Sequence, residues 1–309
     1  MNTGKQQRLV ERMLYERDHL IQHSLFYWTQ IFMSYNSNHM EGSTLTAQQT
    51  AQIYETGRLL ANQRGEQIKI DDAIETANHF DAFNYILDHV DDPVDEHLTC
   101  ELHAILKHGT SDTRMDWKNV GGYKTHDNEI TQILGVTSVP TAPAEHVPQL
   151  MKNVYEAYGN LDDDPVHITQ AHWMFEKVHP FSDGNGRVGR LIMFKECLRL
   201  NTVPPLIRDE HHNQYTRGLD LFPEEPGWLV DLILSERDAY QQQFIERMAA
   251  NSISYTYNST WKATHYQHEL EQAEAFRQQI TSYAIQAHTG NDLFGMYGMT
   301  DNNNNGYTR

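Results

Sequence analysis

The chain has 309 residues, 39% of them hydrophobic, enough to bury a sizeable core. Its 42 acidic and 24 basic side chains give a formal charge of −18, a surface that repels phosphate polymers and so excludes a general binder of nucleic acid or of anionic membranes. Two cysteines, Cys100 and Cys197, exclude a disulfide scaffold and point to reducing, cytoplasmic surroundings, and no run approaches the ~18 apolar residues that a membrane span needs.

Helical periodicity dominates the hydrophobic pattern. Residues 5–34 carry Leu9, Val10, Met13, Leu14, Leu20, Ile21, Leu25, Trp28 and Phe32 among polar side chains and read as one long amphipathic helix. A second helix is predicted over 46–62, with Thr46 and Gln49 placed for a capping box. A third opens at Asp71 and Asp72 and runs through Leu87, and a fourth covers 94–107, stopped by Gly109. Residues 118–138 predict a hairpin with Asp127 and Asn128 at its middle. Helices resume over 144–159 and again after Asp164-Pro165, a cap followed by proline in the first turn; the latter must stop at His179-Pro180. A glycine-containing loop over 180–186 leads into a helix over 187–200, followed by helices at 209–221 and 227–248 and a polar helix at 259–287. The tail 288–309, with Asn302 to Asn305 and few apolar anchors, predicts disorder. The expected architecture is all-α: one helical domain with a small β-hairpin over 1–248 (core about 95–240), a polar C-terminal helical region over 249–287, and the tail.

One stretch carries the chemistry: His179-Pro180-Phe181-Ser182-Asp183-Gly184-Asn185-Gly186-Arg187-Val188-Gly189-Arg190, between two helices. It ends at a helix start, where unpaired N–H groups and the helix dipole attract anions. Gly184 and Gly186 remove side chains, so phosphate oxygens can approach that backbone. Arg187 and Arg190, three residues apart, share a helix face and suit successive phosphates. Arginines there oppose the dipole, which suggests a compensating anionic ligand. Asp183 offers a carboxylate suited to Mg²⁺, which takes one or two protein carboxylates beside phosphate oxygens. His179 supplies a near-neutral base. Each piece taken singly is an ordinary turn or helix-end residue; the weight lies in their occurring together.

The string resembles the signature of Fic-domain proteins, His-x-Phe-x-Asp/Glu-Gly-Asn-Gly-Arg-x-x-Arg, at all eight specified positions: His179, Phe181, Asp183, Gly184, Asn185, Gly186, Arg187 and Arg190. The likeness extends over about 40–240. It implies the Fic fold, a helical bundle with a β-hairpin flap, and the transfer of AMP from ATP to a hydroxyl of a target protein or of the chain itself. His179 is then the base toward the attacking Ser, Thr or Tyr hydroxyl. Asp183 holds Mg²⁺, and the amides around Gly184 to Gly186 with the Asn185 side chain stabilise the α-phosphate. Arg187 and Arg190 take the outer phosphates, and Phe181 packs beneath the loop.

Ser37-Asn38-His39-Met40-Glu41-Gly42 resembles a second pattern of the family, Ser/Thr-x-x-x-Glu-Gly/Asn, which marks a self-inhibiting helix. By that likeness Glu41 pairs with Arg190, supported by Ser37, and keeps the γ-phosphate away; in some members the same glutamate assists removal of AMP. The hairpin corresponds to the family's flap, with Gly122, Tyr123 and Lys124 as candidates for docking an extended target segment. Tyr215 and Leu219 are candidates for the adenine pocket, although Pro223 stands where many relatives carry asparagine, which leaves the base open. Gly186 distinguishes the loop from that of Doc-like kinases, which carry lysine there. Three alternatives stay in view: transfer of another phosphate-linked group, a nucleotide-binding interaction module without turnover, and a metal site at His97, Cys100 and His103, for which no fourth ligand is evident. The partial apolar stripe Leu270, Ala273, Phe276, Ile280 and Tyr283 suits either homo-oligomerisation or packing on the core.

Overall fold

The computed structural model describes residues 7–61, 67–131, 138–249 and 252–297. The N-terminal stretch is two helices, α1 (Leu9–Asp18) and α2 (Leu25–Met40), where periodicity predicts one. The break has local causes: Leu20 and His23 adopt φ of 52° and 55°, and Ser24 caps α2 by accepting the Tyr27 N–H at 3.3 Å. Buried Glu16 fixes the turn by accepting the Phe26 N–H at 2.8 Å. Because α2 continues to Met40, Ser37 lies on its last turn and Glu41 is its C-cap.

The capping box that opens α3 (Ala47–Thr56) is present: Thr46 accepts the Gln49 N–H at 3.2 Å and Gln49 returns the bond at 2.9 Å. The helix stops sooner than predicted because Gly57 turns left-handed, with φ 63°. Helices α4 (Ile70–Asp88) and α5 (Glu96–Lys107) follow. The hairpin exists, but its register differs from the prediction. Strands β2 (Glu129–Thr131) and β3 (Ser138–Pro140) pair antiparallel, Glu129 opposite Pro140, so the connection falls in 132–137, outside the described residues. Asp127 and Asn128 precede the hairpin and tie its base: Asp127 accepts the Ala144 N–H at 2.7 Å and Asn128 donates to the Phe181 carbonyl at 3.1 Å.

Helices α6 (Val147–Gly159), α7 (Pro165–Val178), α8 (Asn185–Arg199), α9 (His212–Leu221) and α10 (Gly227–Tyr240) complete the bundle, with a π-helical turn (Gln241–Ile245) and α11 (Glu246–Met248) extending α10. Helix α8 is the axis: its residues are buried from Asn185 through Leu198, and α1, α2, α4, α5 and α7 all pack on it. Val188, Leu191, Ile192 and Phe194 anchor it, each buried side chain contributing about 1.5–3 kcal/mol. A Cβ at Gly189 would lie 3.0 Å from the Phe175 ring, so glycine sets the close approach of α7 to α8. Two short parallel strands, β1 (Gln7–Arg8) and β4 (Ile253–Ser254), join the two ends of the domain and carry no predictive pattern.

Helix α12 (Gln267–Tyr297) continues past 287, where the helix was predicted to give way to a disordered tail; residues 298–309 lie outside the described set. Its stripe is spent on the core: Ala273, Phe276 and Ile280 are buried, and the Phe276 ring meets Trp173 of α7 at 6.3 Å. Among the described residues no helix is long and apolar enough to cross a membrane.

Candidate active site

Helix α7 ends because His179 takes a left-handed conformation, φ 53°, ahead of Pro180. The chain then dives: Phe181 is fully buried and stacks on the His103 ring at 4.1 Å. Asn185 fastens the loop, its amide oxygen accepting the Phe181 N–H and its amide nitrogen donating to the Phe181 carbonyl, both at 2.8 Å. That side chain is therefore occupied as a staple. Gly184, φ 79°, caps α8, which begins at Asn185 rather than at Arg187. The amides of Asn185, Gly186 and Arg187 are those that a helix start leaves without an intrahelical acceptor.

Around this helix start stand the charges. Arg190, 5% exposed, donates from Nη2 to Glu41 Oε1 at 2.7 Å and to the Ser37 carbonyl at 3.1 Å, and from Nε to Ser37 Oγ at 3.0 Å. Burial pushes the Glu41 carboxyl up, yet Arg190 and Arg187 together hold it below the usual range, so it is ionised. A Cβ at Gly186 would overlap the Glu41 carboxylate and lie 2.7 Å from Arg190 Nη1; glycine is what lets the two meet over the helix start. Arg187 has different partners: its Nη1 meets Glu75 Oε2 of α4 at 2.6 Å and its Nη2 donates to Asp183 Oδ2 at 3.3 Å.

Asp183 also takes the buried ammonium of Lys107, which reaches Glu75 at 2.5 Å and Asp112 at 2.7 Å. Burial raises the Asp183 carboxyl, but Arg187 and Lys107 outweigh it and hold it well below the carboxylate range. Its side chain is 42% exposed, so an ionised carboxylate keeps an open face. Among the described residues no three His, Cys, Asp or Glu side chains converge on a metal position. A single open carboxylate is nevertheless the donor that fits Mg²⁺ held mainly by a polyphosphate.

His179, half-buried, has no protein partner at Nδ1. Burial, helped by the Lys124 charge, pushes its imidazole down to about 4, so it is neutral at physiological pH and able to accept a proton. Behind Arg190 lies a second buried group: His172 Nε2 pairs with the Tyr215 hydroxyl at 2.6 Å, and burial, against the pull of Arg190, raises the Glu176 carboxyl to about 7.

The structure thus gathers His179, Asp183, Gly184, Gly186, Arg187, Arg190, Ser37 and Glu41. It parts from the sequence reading elsewhere. Tyr215 is buried with its ring 6.0 Å from the Arg190 guanidinium, so it belongs to the packing behind the site rather than to an open base pocket, while Leu219 is half-buried and gives its carbonyl to Trp173 Nε1 at 3.0 Å. Lys124 is buried, donating to Asn128 and Thr141 at 2.6 Å each, and its N–H bonds the Pro180 carbonyl at 2.8 Å. The Tyr123 hydroxyl meets that of Tyr155 at 2.5 Å, and Gly122 closes a turn on Asn119 at 2.9 Å. These three residues anchor the base of the flap instead of presenting a docking edge. His103 accepts the Gly121 N–H at 3.0 Å and supports Phe181, which gives it a packing role. Glu75 and Lys107 escape a sequence reading, because nothing local distinguishes a carboxylate or an amine that reaches the loop from 76 or more residues away along the chain.

Fold and site define an all-α domain in which one buried helix start is ringed by an imidazole, a carboxylate and two guanidinium groups. Residues 93–197 match the Fic/DOC family profile. It is 26% identical over 194 residues to a protein adenylyltransferase Fic of Nematostella vectensis, covering 60% of this chain and 42% of that one. With protein adenylyltransferase fic-1 of Caenorhabditis elegans it shares 26% over 258 residues, covering 79% and 47%. The chain thus spans less than half the length of these curated relatives. Among solved structures, a Fic-domain-containing signalling protein of Bacteroides thetaiotaomicron superposes with a TM-score of 0.62 at 23% identity, covering 81% of this chain and 99% of that one. A fragment of Fic-1 from C. elegans gives 0.57 at 22%, covering 78% and 72%. The fold is the Fic fold.

Proposed function

We propose that the chain is a protein adenylyltransferase that moves AMP from ATP to a Ser, Thr or Tyr hydroxyl of a target protein or of itself, and that Glu41 restrains it. The observation that carries this reading is the placing of a neutral imidazole, His179, and a clamped guanidinium, Arg190, at the two ends of one helix-start anion cradle. His179 takes the proton of the target hydroxyl as its oxygen attacks the α-phosphorus. The α–β phosphoanhydride bond breaks and pyrophosphate leaves. The amides of Asn185 and Gly186 donate to the α-phosphate as its charge grows, in place before the reaction and therefore without reorganisation. Asp183 would hold Mg²⁺, which when bound would supply charge neutralisation of the phosphates. Arg190 takes the γ-phosphate once Glu41 has left it; while Glu41 stays, its carboxylate occupies the guanidinium and repels the phosphate. Two free thiols, Cys100 and Cys197, suit a reducing, cytoplasmic setting.

The test is incubation of wild type, Glu41→Gly and Glu41→Gly/His179→Ala with Mg²⁺ and α-labelled ATP. Label appears on protein in the second and not in the third. Nucleotide binding without transfer in all three would make the chain a nucleotide-binding module, and label from another nucleotide alone would change the group transferred.

A further inference from the structure

Asp183 rests on a buried apparatus for which neither family signature accounts. Lys107, at the end of α5, is 3% exposed and places its ammonium among three carboxylates: Asp183, Glu75 at 2.5 Å and Asp112 at 2.7 Å. Glu75, from α4, uses its other oxygen on Arg187 at 2.6 Å, and Arg187 closes the ring by donating to Asp183 at 3.3 Å. Both cations meet the same Asp183 atom, Oδ2. The carboxylate is thus gripped on its inner oxygen from two directions while the side chain stays 42% exposed. Surface ion pairs do not look like this; a buried amine surrounded by acids persists only where every charge is met. The geometry matches the outer partners of metal ligands, which fix a ligand's orientation and whose loss typically weakens metal binding about 10–100-fold.

We propose that Lys107, oriented by Glu75, is a positioning residue: it aims the Asp183 carboxylate outward and thereby sets how tightly the protein and its nucleotide hold a divalent cation. The proposal rests on Asp183 as the metal-facing residue of the adenylyl-transfer reading, and it adds the group that makes Asp183 competent. Lys107 touches neither substrate nor reacting atoms, so its removal acts on metal affinity first and on turnover through it.

The experiment uses the full chain carrying Glu41→Gly, alone and with Lys107→Met, Lys107→Arg or Glu75→Gln. Mn²⁺ binding in the presence of ATP is read by loss of the free-Mn²⁺ electron paramagnetic resonance signal, which needs no turnover. Lys107→Met weakens Mn²⁺ binding about tenfold or more while metal-free ATP binds within about twofold of the parent, and it raises the half-saturating Mg²⁺ for transfer by a similar factor. Glu75→Gln moves both readouts the same way by less, and Lys107→Arg restores Mn²⁺ affinity to within about threefold. If Lys107→Met does not fold, the Glu75→Gln and Lys107→Arg values decide alone. Unchanged Mn²⁺ binding in Lys107→Met, or in Glu75→Gln where Lys107→Met does not fold, overturns the proposal. So does tighter binding, which would make Lys107 a competitor for Asp183 rather than its support. Should the Glu41→Gly parent bind Mn²⁺ and ATP yet transfer nothing, the adenylyl-transfer reading fails while the role of Lys107 is still decided by the resonance data.

Discussion

Arg187 and Arg190 sit one turn apart on the same buried helix, and their surroundings could hardly differ more. Arg187 is locked between Glu75 and Asp183, and Glu75 is itself shared with Lys107, so every charge there has at least two partners on different elements. Arg190 has one carboxylate, supplied by the capping residue of α2 and 26% exposed. In the proposed mechanism the first arrangement holds throughout and the second gives way. A guanidinium that must receive a ligand needs a partner that can leave, whereas one that orients another ligand needs partners that cannot.

That contrast can be broken by experiment. The largest effect is expected from Arg190→Ala in a Glu41→Gly background, which lowers AMP transfer by about 10³-fold, as loss of a charge-stabilising arginine does in phosphoryl transfer; transfer within tenfold of the parent would deny Arg190 its phosphate. Glu41→Gly alone raises transfer about 10–100-fold, the worth of a charge-assisted hydrogen bond, and leaves the melting temperature nearly unchanged. Glu75→Gln behaves oppositely: it does not raise transfer, and it lowers stability by about 3 kcal/mol because two buried cations lose their shared partner, read by denaturant titration. A gain of transfer in Glu75→Gln would turn the lock into a second brake.

The smallest effect is on pH. Burial drives His79 and His172 down to about 3 and His103 and His179 to about 4, so in the fold they stay neutral where free histidine, at 6.5, takes a proton. The unfolded chain then binds more protons between about pH 6.5 and pH 4, and stability falls steadily as pH drops through that window. Transfer itself stays level from pH 8 down to about 6, since His179 is still unprotonated there; a fall centred near pH 6.5 would place that imidazole in open water.

The sequence was most informative where chemistry and local geometry coincide. The loop from His179 to Arg190 can be read because its glycines, its proline and its helix start dictate its shape within twelve residues. The caps at Thr46 and Asp164 follow from the same short-range logic. What escapes depends on partners distant in sequence. Leu20 and His23 break a helix that periodicity would continue; Asn185 looks like a ligand for anions until Phe181 claims both of its amide atoms. Tyr215 looks like a base-stacking ring until His172 and Arg190 enclose it.

The end of α2 has a mechanical consequence. Two contacts with Asp209 tether it one turn earlier, its N–H bonding Asn36 Oδ1 at 2.9 Å and its carboxylate pairing with His39 at 2.7 Å. Beyond that tether the turn is held by backbone bonds from the amides of Glu41, Gly42 and Ser43 to the carbonyls of Asn38 and His39 at 3.0–3.1 Å, by Arg190 on Ser37 and Glu41, and by Asp72, which accepts the Thr44 N–H at 3.0 Å. Gly42 stands at φ 90°, a left-handed turn that glycine adopts without strain, with open space where a Cβ would stand. In the proposed mechanism, freeing Arg190 for a triphosphate asks only for fraying of these few residues between the Asp209 and Asp72 tethers, the local kind of opening that helix ends undergo at little cost, and no domain movement.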